Sequence, residues 1–353
     1  MREAGVDVIA NSTKWSVLGI MGWIPALVPG VFANWRARWV IRKRRPDLLV
    51  CIDSGGFNVA IARTLRWLGG QKVLYYVPPR SWSRKWSVRR LREADYVAAP
   101  FPWNAEGDDG TGRVRFVGHP AADLPSAMPP RRDMREQLGL DPEAPTVAML
   151  PGSRKAEIGT HMPILMETVR ILRDEIPGVQ VVLSQAHNVR RAKLERYITR
   201  AGIEALTVAR GAAPALRASD AALVCMGTAT VEACTLGVPT TTFYRGTRSQ
   251  LFEYLLRPTI AEFYALPNII AGERVVDELI GDDVTPRDLA DRTLSFLRKP
   301  DLAASVTARL QTVAEALGGA GAAERAADAV EDALNDNWHA GNGVSEERQA
   351  AAL

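Results

Sequence analysis

Cysteine is scarce in this chain: three residues, Cys51, Cys225 and Cys234, among 353. Their number and scatter exclude a disulfide scaffold and a cysteine-built zinc site, and leave a reducing compartment as the default. Histidine is nearly as scarce, with four residues, and no His-Glu-x-x-His pair is formed. No Gly-x-x-x-x-Gly-Lys-Ser/Thr loop occurs. Gly319-Ala320-Gly321 neither follows a strand pattern nor continues to the third small residue of a dinucleotide fingerprint. These absences remove P-loop ATPases, zinc proteases and dinucleotide-dependent dehydrogenases. No repeat at solenoid spacing is present either.

A long uninterrupted apolar run is also missing. The 21 residues from Trp15 to Trp35 carry no formal charge, which is about the length a spanning helix needs. However, Pro25, Pro29, Gly19, Gly22 and Gly30 interrupt them, and no second span exists to satisfy the carbonyls that proline frees. A signal peptide fits poorly, because the basic residues follow the apolar ones and no small-x-small cleavage site comes after. What is there suits an interface. Ile20, Met21, Trp23, Ile24, Trp35 and Trp39 are followed by Arg42, Lys43, Arg44 and Arg45. Tryptophan favours the headgroup layer and Lys/Arg clusters attract anionic lipid, so the segment is expected to dip into a membrane without crossing it. A buried core helix with a solvated basic face is the alternative.

The charge balance points the same way. The chain holds 44 Lys+Arg and 40 Asp+Glu, yet residues 1–130 carry 19 basic and 10 acidic groups while 131–353 carry 25 and 30. The length suits two domains, and the asymmetry suits two different partners. Short apolar runs alternate with helical stretches throughout, which predicts parallel sheets with crossover helices. Strands are expected at 47–52, 71–77, 96–99, 113–117, 146–150, 181–183, 221–225 and 239–243. Helices are expected at 57–68, 83–92, 157–174, 188–201, 228–236 and 302–335. The prolines between His119 and Pro145 mark the boundary. The domains are therefore placed at 1–130 and 131–335, with 336–353 a frayed tail.

Three segments carry chemistry. Leu150-Pro151-Gly152-Ser153-Arg154 sits where a strand hands over to a helix, the edge at which α/β folds bind ligands. Glycine there permits close approach, the next amides are expected to point outward, and Arg154 offers a two-pronged donor to phosphate. An ordinary tight turn with a surface arginine has the same sequence. Gly227-Thr228-Ala229-Thr230-Val231-Glu232 repeats the arrangement: amides and a hydroxyl at a helix start suit a pyrophosphate, and Glu232 suits ribose hydroxyls or simply the helix dipole. Asp53 ends a buried strand and is a candidate general base, or a turn aspartate. His119 and Asn268 are polar loop residues of no standing alone.

In order along the chain, six stretches resemble lipid-A-disaccharide synthase. They are Ile52-Asp53-Ser54-Gly55-Gly56-Phe57-Asn58, Tyr75-Tyr76-Val77-Pro78-Pro79, Phe116-Val117-Gly118-His119-Pro120, Leu150–Arg154, Gly227–Ala233 and Leu266-Pro267-Asn268-Ile269-Ile270-Ala271-Gly272. The resemblance implies an α/β chain of GT-B fold: two Rossmann-like domains facing across a cleft, the first strand–helix unit of the N-terminal domain missing because the family's opening Gly-Glu-x-Ser-Gly-Asp loop has no counterpart. It implies an inverting transferase that joins UDP-2,3-diacylglucosamine to 2,3-diacylglucosamine 1-phosphate in lipid A (lipopolysaccharide) biosynthesis. UDP-binding would fall to Gly152, Ser153, Arg154, Gly227, Thr228, Ala229, Thr230 and Glu232. Asp53 would assist the acceptor hydroxyl and Arg154 the leaving phosphate, while Asn58, His119 and Asn268 would line the acceptor side. The donor is a substrate, so no cofactor and no metal are expected. The implied location is the cytoplasmic surface of the inner membrane, with a homodimer compatible with the family and no nucleic-acid partner. Gly55-Gly56 replaces the family's Pro-Asp, which leaves room for another membrane glycolipid acceptor or an inactive relative.

Overall fold

A computed structural model of the chain describes residues 5–9, 20–68, 71–204, 206–246, 262–339 and 341–342. The apolar runs become two parallel sheets. The first has the order β1-β2-β3-β4-β11, built from Leu48–Ile52, Lys72–Tyr76, Tyr96–Ala99, Val114–Phe116 and Gly341–Asn342. The second has the order β10-β9-β8-β5-β6-β7, from Asp277–Ile280, Thr240–Tyr244, Ala221–Cys225, Thr146–Leu150, Gln180–Gln185 and Thr207–Arg210. Three of these strands, β7, β10 and β11, escape the sequence pattern. All are short edge strands with polar residues, so none shows a clean apolar run.

Parallel sheets need cover on both faces, and the alternation of side chains shows where it comes from. In the second sheet Val147, Met149, Val181, Leu183 and Leu223 pack under Ile158, Met162, Leu165 and Val169 of the helix Lys155–Glu175. Their neighbours Ala148, Leu150, Val182, Ala222 and Val224 face Met134, Leu216 and Ala233 on the other side. In the first sheet Val73, Tyr75 and Val97 meet Ala62, Trp86 and Leu91. The opposite face, Leu74, Ala98 and Val117, is closed by Ala329 and Ala333 of the helix Ala322–Leu334.

That last contact revises the domain limits. The two compact units are Met1–Pro120 with Leu317–Leu353, and Ala121–Ala316. The expected boundary at 130 lies ten residues late, and 317–335, expected in the second domain, belongs to the first. The start of the expected frayed tail is tied down: Lys72 pairs with Asp336 at 2.6 Å, and the Trp338 ring lies 4.8 Å from Tyr96 and under the Arg115 guanidinium. Residues 340 and 343–353 of that tail lie outside the described residues. The basic helix expected at 83–92 shrinks to one 3₁₀ turn, Val88–Arg90.

A charge placed in this seam tests it. Ala329→Glu would set an unpaired carboxylate against Leu74 and Ala98, costing about 3 kcal/mol or more. A lowered urea midpoint with the site in the second sheet still competent is the expected result.

Candidate active site

The second sheet reverses its strand order beside β5. From β5 the chain adds β6 and β7 on one side, then returns to lay β8, β9 and β10 on the other. Ligands of open α/β sheets bind at the carboxyl ends of strands where such a reversal occurs. β5 and β8 are direct neighbours, with Leu150 opposite Val224. The Pro151–Arg154 and Met226–Thr228 loops therefore leave the sheet side by side, which brings two of the three sequence-derived motifs together.

The first loop is held more tightly than its sequence suggests. Glu157, one turn into the helix and 4% exposed, accepts the amides of Ser153 (2.8 Å) and Arg154 (2.9 Å) and the Arg154 Nη1 (2.5 Å). The amides expected to point outward are thus already taken. Gly152 has φ +102°, and a Cβ there would lie 2.5 Å from the Glu157 Oε2. Burial alone would raise the Glu157 pKa, but the Arg154 and Ser153 donors outweigh it and hold the carboxyl below its usual range. His161, fully buried, joins its Nδ1 to the Pro151 carbonyl at 2.8 Å and its Nε2 to the Arg245 backbone at 3.2 Å. Neither Glu157 nor His161 was singled out from the sequence. The available signal was positional: a glutamate at the third residue of a helix commonly bonds back to the cap.

The second loop is open. Gly227 has φ +154° and its carbonyl is bonded by the Thr230 amide and hydroxyl, the latter at 2.6 Å. The amides of Thr228 and Ala229 donate to no acceptor among the described residues. The Glu232 carboxylate, half-buried on the helix Ala229–Thr235, likewise meets no hydrogen-bond or ion-pair partner among them. Burial pushes its pKa up. A partly desolvated carboxylate without a partner is a group waiting for donors, and vicinal hydroxyls supply them.

Asp53 belongs to the first sheet. It directly follows β1 with φ +45°, itself followed by Ser54 at +46°, and the adjoining β2 is followed by Val77 at +52°. Consecutive left-handed residues that are not glycine are costly and are kept where the surroundings enforce them. Here Asn58 Nδ2 donates to the carbonyls of Ile52 (2.8 Å) and Asp53 (2.9 Å), and the Tyr75 hydroxyl donates to the Asp53 carbonyl at 2.7 Å. The Asp53 amide bonds the Tyr76 carbonyl at 3.0 Å. The carboxylate is left exposed at the strand end. Asn58, expected to line the acceptor side, staples this turn. Gly55 fits under Pro79, whose ring carbons would lie 2.7 Å from an added Cβ.

His119 is buried against the Phe101 ring, its amide bonded to the Leu317 carbonyl. Burial pushes its pKa down to about 4, so it is neutral in ordinary buffers. Asn268 departs most from expectation. It is fully buried: Nδ2 donates to the Val276 carbonyl and to Glu278 (both 2.9 Å), and Oδ1 accepts the Val275 and Val276 amides (2.7 and 2.8 Å). A side chain so saturated ties a helix to a strand and lines nothing.

The apolar N-terminal segment is helical from Ile20 to Arg44, through both prolines. The side chains of Ile20, Met21, Trp23 and Ile24 lie outside the described residues. Further along, Ala33 is buried, and Ala37 packs with Ile61, with Ile41 and Phe57 against them. The other face leaves Val31, Phe32 and Trp35 each 61% exposed and Trp39 53%. Arg36, Arg42, Lys43, Arg44 and Arg45 are exposed beside them. Among the described residues no helix is long and apolar enough to cross a membrane.

Comparison with known proteins decides the family. The model described as Lipid-A-disaccharide synthetase matches residues 1–331. The chain belongs to that family. It is similar to the lipid-A-disaccharide synthase of Geobacter metallireducens, 33% identical over 340 residues, covering 95% of this chain and 87% of that one. The Coxiella burnetii (strain Dugway 5J108-111) synthase is 30% identical over 338 residues, covering 95% and 88%. Solved structures agree in fold. The S. aureus MnaA–UDP co-structure is 12% identical with a TM-score of 0.60, over 87% of this chain and 81% of that one. The calicheamicin glycosyltransferase CalG4 is 16% identical with a TM-score of 0.54, over 88% and 81%. The two Rossmann-like domains of this synthetase-family chain are thus of GT-B type.

Two substitutions separate site from scaffold. Asn268→Ala would strand two buried amides and cost on the order of 3 kcal/mol; its denaturation midpoint should fall while UDP affinity of the folded fraction holds. Glu232→Gln should do the reverse. A carboxyl whose folded pKa is raised lowers stability as pH rises through that pKa. The amide therefore should unfold at a higher temperature than the native chain near pH 7, and bind UDP more weakly by calorimetry.

Proposed function

We propose that this chain transfers the diacylglucosamine unit of UDP-2,3-diacylglucosamine to 2,3-diacylglucosamine 1-phosphate, with inversion, giving the β-1′,6-linked disaccharide 1-phosphate and UDP. The observation that carries the reading is the Asp53 carboxylate. It is exposed at the carboxyl end of a parallel strand and aimed by a strained turn that Asn58 and Tyr75 hold in place. Strain of this kind is retained where a side chain must be presented in one direction.

The chemistry is a single displacement. Asp53 takes the proton of the acceptor hydroxyl as its oxygen attacks the anomeric carbon and the bond to UDP breaks. Negative charge then grows on the diphosphate. Arg154 and the free amides of Thr228 and Ala229 meet it, and Glu232 orients the ribose through its hydroxyls. Inversion follows because the acceptor oxygen attacks the face of the anomeric carbon opposite the one UDP leaves. Both substrates carry acyl chains, so the enzyme has to work at a lipid surface. The exposed Val31, Phe32, Trp35 and Trp39 with their flanking cations supply the apolar and electrostatic halves of such a contact. On this reading the protein works on the cytoplasmic face of the inner membrane.

UDP release by the purified chain in detergent, with both lipid substrates present, tests the proposal. Asp53→Asn should lower kcat by a factor on the order of 10²–10⁴ and leave UDP affinity unchanged. Release that proceeds without the acceptor, or an unimpaired Asp53→Asn variant, would remove the assigned base. The membrane contact is read separately: Trp35→Ser with Trp39→Ser should lower sedimentation with anionic vesicles and spare turnover of detergent-dispersed substrate.

A further inference from the structure

The Pro151–Arg154 loop has none of its amides to give beyond Gly152, because it is bonded to its own helix. The Pro151 carbonyl goes to His161, the Ser153 carbonyl to Asn188 Nδ2 at 2.9 Å, and the Arg154 carbonyl to the Ile158 amide at 3.0 Å. The Ser153 and Arg154 amides both go to Glu157. What remains for an anion is the Arg154 side chain, 41% exposed, whose Nη1 rests on a Glu157 carboxylate only 3% exposed. Its Nε and Nη2 meet no acceptor among the described residues.

We propose that Glu157 is a positioning residue for the donor: its buried carboxylate braces the Arg154 guanidinium so that the free Nε–Nη2 edge is held ready for the diphosphate. The inference rests on the reading of the chain as a UDP-sugar transferase. It also changes what Gly152 is for. Besides its φ of +102°, glycine is required there because the carboxylate occupies the space of a side chain, 2.5 Å from any Cβ. A free arginine loses much rotamer freedom when it binds. One already fixed by a carboxylate loses less, and two parallel donors on its open edge match two phosphate oxygens. The carboxylate lowers the net charge of the pair, so the gain is in geometry and not in long-range attraction.

The test is a double-mutant cycle on UDP affinity by calorimetry, using the full chain. Glu157→Gln and Arg154→Ala should each weaken UDP about tenfold or more, and the double variant should bind no more weakly than Arg154→Ala alone, since coupled residues do not add. Gly152→Ala, which pushes the carboxylate off its place, is the second route. It should reproduce the Glu157→Gln loss and add nothing to Arg154→Ala. Losses that add, or a Glu157→Gln variant with native affinity, would overturn the positioning role, because Glu157 would then act apart from Arg154. A native chain that binds no UDP would overturn the donor reading itself, and this shows before any variant is compared.

Discussion

The reversal of strand order between β5 and β8 is the constraint from which the site follows. Parallel strands must be joined by crossovers, and a sheet that grows first one way from β5 and then the other leaves its two central crossovers on opposite sides. The loops at their starts cannot cover each other's ground. An opening between them is forced by topology before any side chain is chosen. Pro151–Arg154 and Met226–Thr228 occupy that opening because Leu150 and Val224 are register partners. The side chains then divide the labour: one loop closed on its own helix, the other left open.

Two glutamates at this opening show how environment sets the role of identical groups. Glu157 and Glu232 are each held within the first helical turns after a central strand. One is surrounded by donors and stays ionised through burial. The other has burial without donors, and its charge is held at a cost. The first is complete within the protein and serves the scaffold of the loop. The second is complete only with a ligand.

Much of this was legible in the sequence, and the failures have a common cause. Runs such as Thr146–Leu150 and Ala221–Cys225 are apolar on both faces because both faces are covered, and their turns carry glycine. The motifs at their ends could therefore be placed on a sheet edge from spacing alone. Asp53 was placed at a strand end by the same logic. What could not be read was the partner of each polar side chain. Asn58 and Asn268, given site roles only by the family resemblance, both spend donors on backbone carbonyls brought near by folding. Glu157, which the sequence did not single out, occupies the space and the amides allotted to phosphate. The edge strands β7, β10 and β11 carry too few apolar residues to stand out. The return of 317–339 to the first sheet leaves no local trace, since an alanine-rich helix fits either domain.

That return has a consequence for synthesis. Leu74, Ala98 and Val117 emerge from the ribosome early, but the helix that covers them is encoded some two hundred residues later. At about 5–20 residues per second the first sheet waits with one apolar face bare for roughly 10–40 s. The second unit, contiguous in the chain, can fold in that interval. The tryptophan-bearing helix is by then outside the tunnel as well, so a nascent chain meets lipid or chaperone before its own last helix arrives.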